Sequence, residues 1–125
     1  MGAAISCFSG SKAVCVPRSR FLPVKTTDDL ARMQSDLFQL SADGELLPTC
    51  ENSQALPVAL DGKYFGNLIS YQERFPHGIP SLKECGSFSV RGDVLFGKDV
   101  ICKGSVKVEN LEKEQLKIED ETVLN

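Results

Sequence analysis

The chain has 125 residues, enough for one domain or part of one but not for two full-sized ones. Hydrophobic residues are 42% and charged residues 25%, a mix that excludes wholesale disorder and fibrous repeats. The formal net charge of −3 argues against a general nucleic-acid binder, and no apolar run is long enough to span a bilayer.

Five cysteines stand at positions 7, 15, 50, 85 and 102, with no C-x-x-C pair. The odd number and wide spacing argue against a disulfide scaffold and against zinc. His77 is the single histidine, which excludes a His-rich metal site. No charged leader precedes an apolar segment, so reduced thiols in a cytoplasmic protein are expected.

Residues 2–8 are small and apolar. Ala13-Val14-Cys15-Val16 reads as a short strand that stops at Pro17. Thr26-Thr27-Asp28-Asp29 is a helix start, because a threonine can cap free amides and acids suit the positive end of the helix dipole. Leu30, Met33, Leu37 and Leu40 follow at steps of three and four, predicting a packing helix over 27–40. Residues 41–56 carry Gly44, Pro48 and Asn52 and read as a loop. Residues 57–60 read as a strand, 68–75 as a helix with Leu68, Tyr71 and Phe75 on one side, and 76–80 as a turn.

From Gly86 a six-residue step emerges. Phe88, Val94, Val100 and Val106 are all apolar, and so are Val90, Phe96, Cys102 and Val108. Glycines at 86, 92 and 104 share the period. Two apolar positions per hexad, with glycine near a corner, predict a parallel β-helix in which three hexads close one coil. Residues 109–115 interrupt the period, Leu116 and Ile118 resume it, and Val123 follows. A chain ending at Asn125 in mid-pattern leads to the expectation that the natural chain continues. The same period explains Arg91-Gly92-Asp93 as a corner and not an adhesion motif, and makes Cys102 a buried, inert thiol.

One stretch is more specific. Val16-Pro17-Arg18-Ser19-Arg20-Phe21-Leu22-Pro23-Val24-Lys25-Thr26-Thr27 closely resembles the eukaryotic UTP–glucose-1-phosphate uridylyltransferases, or UDP-glucose pyrophosphorylases. The resemblance continues through Gln34-Ser35-Asp36-Leu37, residues 71–75, Ile79-Pro80-Ser81-Leu82 and Ser89-Val90-x-Gly92-Asp93-Val94-x-Phe96-Gly97. Gly2-Ala3-Ala4-Ile5 also matches. Asp28 departs from the family, where serine is more frequent, and there is no G-x-G spacing for a nucleotide loop.

The resemblance implies an α+β fragment ending in a left-handed parallel β-helix built from hexapeptide repeats. Residues 1–40 would be the end of the catalytic domain with a linking helix, 41–56 a variable loop, and 57–125 a truncated C-terminal β-helix domain. It implies a nucleotidyltransferase that, with Mg²⁺, makes UDP-glucose and pyrophosphate from UTP and glucose 1-phosphate. The Mg²⁺ ligands would lie outside this chain, and the fragment alone would be inactive.

Lys25 matches the family lysine that reaches the UTP phosphates and is the catalytic candidate. A flexible stem with a compact charge suits that task, and a helix start nearby offers free amides. An isolated lysine before a helix is more often just exposed; the twelve-residue match reverses that preference. Arg18 and Arg20 rank below it as phosphate contacts, since arginines beside a strand often pair with acids instead. The expected partners are the two substrates and further copies of the chain through the β-helix, with no nucleic acid and no membrane. The alternatives are a non-catalytic β-helix interaction module and a pyrophosphorylase for another UDP-sugar. Met1-Gly2-Ala3-Ala4-Ile5-Ser6 also fits an N-myristoylation pattern, which the family match outweighs.

Overall fold

The computed structural model describes residues 7–17 and 21–125. Residues 11–17 and 21–25 form neither helix nor strand, so the strand expected at 13–16 is not formed. Val14 and Val16 are 84% and 61% exposed, and an apolar tetrad with no neighbouring strand has nothing to pair with.

Helix α1 spans Thr27–Gln34 and opens on the expected cap. The Thr26 hydroxyl accepts from the Asp29 amide, and the Asp29 carboxylate accepts from the Thr26 amide, so each residue satisfies a free donor of the other. The helix ends well short of residue 40. Ser35 turns extended and donates its hydroxyl to the Arg32 carbonyl. Asp36 is then drawn away by a distant partner: its carboxylate accepts the Leu82 amide at 2.8 Å and the Ser81 hydroxyl at 2.5 Å. Phe38–Leu40 forms strand β1, which pairs antiparallel with β2, Leu46–Pro48, so 41–56 contains half of a hairpin. Leu40, placed on the helix face by its spacing, is 71% exposed.

Strand β3 is Val58–Leu60, followed by two short helices, α2 (Gly62–Phe65) and α3 (Leu68–Arg74). Asp61 and Asn67 cap them through their side-chain oxygens, a role that suits short acceptors in extended backbone. The remaining strands are β4 (Ser81–Arg91), β5 (Val94–Phe96), β6 (Ile101–Glu109), β7 (Leu116–Ile118) and β8 (Val123–Leu124).

These strands correct the predicted architecture. They form a four-stranded sheet in the order β3-β4-β6-β8 and a two-stranded sheet β5-β7, both parallel. The described residues are thus a mixed α+β fold with parallel sheets, not a left-handed β-helix of hexapeptide repeats. The pairing explains the failure. Phe88 faces Val106, the separation three hexads would give, but Val58 faces Phe88, Val94 faces Leu116 and Ile101 faces Val123. Those separations are longer, 30 residues for the first pair and 22 for the other two. Two helices intervene between β3 and β4, and the 11 residues of β4 exceed any hexad side. Register shifts between Ser81 and Glu84 and between Cys85 and Ser87 break its alternation further.

The six-residue step nonetheless picked out inward positions. Phe88, Val94, Val100, Val106, Val90, Phe96, Cys102 and Val108 are all buried. They form the core between the parallel sheets, closed on one side by α2 and α3. Phe75 of the α3 C-cap stacks on Phe96 at 5.0 Å between centroids and meets Phe65 at 5.4 Å, while Phe88 meets Phe96 edge-on at 5.8 Å. Burying each of these rings contributes roughly 1.5–3 kcal/mol. Burial pushes the Cys102 thiol up to about 12, as its inert reading requires.

Close backbone approach explains two glycines. Gly92 has φ +87°, and a Cβ there would lie 1.9 Å from the Asn110 carbonyl oxygen. A Cβ on Gly97 would lie 2.7 Å from the Asp120 amide nitrogen. Around the first, the Arg74 guanidinium donates to Asp93 at 2.9 Å and Gln115 donates to the same carboxylate oxygen at 2.8 Å. Asp93 is therefore a brace for α3 and the segment before β7.

Candidate functional site

The site is centred on the segment that enters α1. Lys25 is exposed, two residues after Pro23 and immediately before the Thr26 cap. Its amide donates to Asp29 Oδ2 at 3.0 Å, and the Thr26 amide donates to the same oxygen at 3.2 Å. The Asp29 amide in turn is taken by Thr26 Oγ1. These bonds, the one from the Lys25 amide foremost, hold the Asp29 carboxyl below the ordinary value of 3.8 against the opposing effect of desolvation.

The capping box changes one expectation. The amides of Lys25, Thr26 and Asp29 are already occupied by the chain's own side chains, and two carboxylates sit in the first turn. The helix start therefore does not offer those amides to a phosphate. What remains at Lys25 is the side-chain ammonium, and none of the ion pairs among the described residues uses it.

A depression of about 380 Å³, whose lining does not include Lys25, is formed by Phe21, Leu22, Pro23, Asp29, Arg32 and neighbouring side chains. Arg32 is the group sequence reasoning missed. Its Nε donates to the Leu56 carbonyl at 3.0 Å, and a terminal nitrogen lies 3.3 Å from Asp29 Oδ1. The spacing of Asp29 and Arg32 could have signalled the ion pair. Nothing in the spacing signals the bond to Leu56. Asp28, marked by the sequence only as a first-turn acid and a departure from the family's serine, accepts the Leu60 amide at 3.0 Å and ties α1 to β3.

Arg18 and Arg20 lie outside the described residues, as does the Met1–Ser6 myristoylation pattern. His77 is exposed in its turn, beside a different depression of about 320 Å³. Among the described residues no three His, Cys, Asp or Glu side chains come together as a metal site. No helix among them is long and apolar enough to cross a membrane.

Comparison with known proteins gives this arrangement a family. The model of the family described as UTP--glucose-1-phosphate uridylyltransferase matches residues 1–103. The chain belongs to that family. UTP--glucose-1-phosphate uridylyltransferase of Encephalitozoon cuniculi is 40% identical over 125 residues, covering 99% of this chain and 25% of the relative. The Saccharomyces cerevisiae protein of the same name is 42% identical over 105 residues, covering 84% of this chain and 21% of the relative. Among solved structures, the UDP-glucose phosphorylase of Trypanosoma brucei superposes with a TM-score of 0.79 at 43% identity, over 100% of this chain and 27% of the other. A variant of Leishmania major UDP-glucose pyrophosphorylase in complex with UDP-glucose superposes with a TM-score of 0.81 at 35% identity, over 100% of this chain and 26% of the other. The chain thus spans about a quarter of the length of the uridylyltransferases it matches.

Proposed function

We propose that this chain is the C-terminal part of a UTP–glucose-1-phosphate uridylyltransferase and that it supplies Lys25 to the phosphates of UTP. The observation that carries the reading is the family match over residues 1–103, which includes the whole Lys25 motif. In the proposed reaction a phosphate oxygen of glucose 1-phosphate attacks the α-phosphorus of UTP, and pyrophosphate leaves. The protein's task is then to position reactants and to offset developing negative charge. An exposed ammonium whose backbone is fixed by Asp29 suits the second task. Arg18 and Arg20 are secondary candidates for the same phosphates. The Mg²⁺ of such a reaction belongs with residues outside this chain.

Exposed apolar side chains support the view that more protein packs on the Lys25 segment. Phe8, Val14 and Val16 are 61–84% exposed, and residues 8–17 form neither helix nor strand. In the proposed division, residues 1–40 end the catalytic domain and reach into a unit formed by 57–125, with 41–56 between them. Association of copies belongs to the same proposal: β8 ends the four-stranded sheet and leaves a strand edge.

The test is direct. The whole protein that carries this chain is incubated with UTP and glucose 1-phosphate, and products are resolved by mass. UDP-glucose and pyrophosphate are expected. Turnover of a different sugar 1-phosphate in preference to glucose would move the assignment to another UDP-sugar, and no turnover of any would leave a non-catalytic module.

A further inference from the structure

Lys25 is attached to the rest of the fold by a short hydrogen-bonded route. Residues 21–25 belong to no helix or strand, so the regular structure nearest Lys25 is α1. The helix is held to the segment around β3 at two points. Asp28 Oδ1 accepts the Leu60 amide at 3.0 Å, and Arg32 Nε donates to the Leu56 carbonyl at 3.0 Å. The two side chains are one helical turn apart and so project from one face. Their partners are Leu56, just before β3, and Leu60, its last residue; β3 has β4 as its one strand neighbour among the described residues.

Arg32 does more than hold the helix. While Nε reaches Leu56, a second nitrogen of the same planar group reaches Asp29 Oδ1, and Asp29 Oδ2 receives the Lys25 amide. Hydrogen bonds therefore run without a break from the Leu56 carbonyl, through Arg32 and Asp29, to the backbone of Lys25. A lysine in place of Arg32 could not fork in this way.

We infer that Arg32 and Asp28 are positioning residues that set the place of Lys25 for uridylyl transfer, the helix acting as a clamped arm. The inference rests on the proposed role of Lys25. Neither residue touches substrate in this account; both act through the lysine. Since a shift of about 1 Å at a reacting group can cost on the order of a hundredfold in rate, releasing the clamp should be felt in turnover.

The experiment is a double-mutant cycle in the whole protein, with kcat, KM for UTP and the thermal midpoint measured for each variant. Arg32→Leu is expected to lower kcat by about tenfold or more while Lys25 is present. In a Lys25→Ala background the same change should alter kcat by less than about twofold, because the group it positions is gone. Asp28→Ala should lower kcat several-fold, and Asp28→Asn, which keeps an acceptor for the Leu60 amide, should restore most of it. Arg32→Lys keeps the charge without the fork and serves if Arg32→Leu fails to fold; it too should lower kcat only when Lys25 is present. Equal fold-losses with and without Lys25 would overturn the inference while leaving the Lys25 reading intact, as would a full kcat in the Arg32 variants. A full kcat in Lys25→Ala alone would remove the Lys25 reading itself, and the clamp's role with it.

Discussion

The segment that carries Lys25 and the parallel sheets behave oppositely. In the sheets, each apolar position on the six-residue step finds a partner inside the chain, and Phe88, Phe96 and Cys102 are all but inaccessible. On the described part of the entering segment, Phe8, Val14 and Val16 are 61–84% exposed, and residues 11–17 and 21–25 belong to no strand. The motif most specific to the family therefore sits where this chain is least self-sufficient. The sheets are a base; Lys25, the proposed phosphate contact, is carried at its margin with its amide held by Asp29 of α1.

The contrast can be pressed with substitutions on the 125-residue chain, measured by urea unfolding. Phe96→Ala should be the most damaging, by about 3–5 kcal/mol, because it removes a fully buried ring that joins Phe75 to Phe88. Gly92→Ala should cost at least about 2 kcal/mol, since any side chain there meets the Asn110 carbonyl and the backbone is left-handed. Val14→Ser should fall within about 0.5 kcal/mol. A markedly larger loss for Val14→Ser in the whole protein than in this chain would show directly that other residues cover the entering segment.

A smaller effect tests the polar joints of the base. Asp61 accepts the Gly92 amide at 2.9 Å and the Lys63 amide at 3.0 Å, and the first of these foremost holds its carboxyl below the ordinary value of 3.8. A folded value below the unfolded one means that the stabilisation is complete above about pH 4 and is lost as the pH falls through the folded value. The stability difference between the wild type and Asp61→Asn should therefore narrow on acidification below that point. A difference that stays constant to lower pH would show that the Asp61 charge contributes nothing.

What the amino-acid sequence made legible follows the range of the forces involved. The α1 start was readable because a capping box is made by residues three apart. The α1 end was not, because Asp36 is recruited by Ser81 and Leu82, far along the chain. The hexad step identified inward residues correctly and matches the 18-residue spacing of Phe88 and Val106, yet it does not extend to strands separated by helices or by residues 109–115. Hence Val94 pairing with Leu116 and Val58 with Phe88 could not be foreseen, and the architecture built on a constant repeat was wrong. At the site, Lys25 stood out through its motif, whereas Arg32 and Asp28 act on backbone groups of Leu56 and Leu60, which any residue would present.

The central claim is that Lys25 acts on the phosphates of UTP in a uridylyl transfer. Its most direct test is the single-turnover rate of UDP-glucose formation by the whole protein, wild type against Lys25→Ala, at saturating UTP and glucose 1-phosphate. The account predicts a loss of about a hundredfold or more, the scale at which removing one group that stabilises developing charge is felt. A rate within about twofold of the wild type would contradict it.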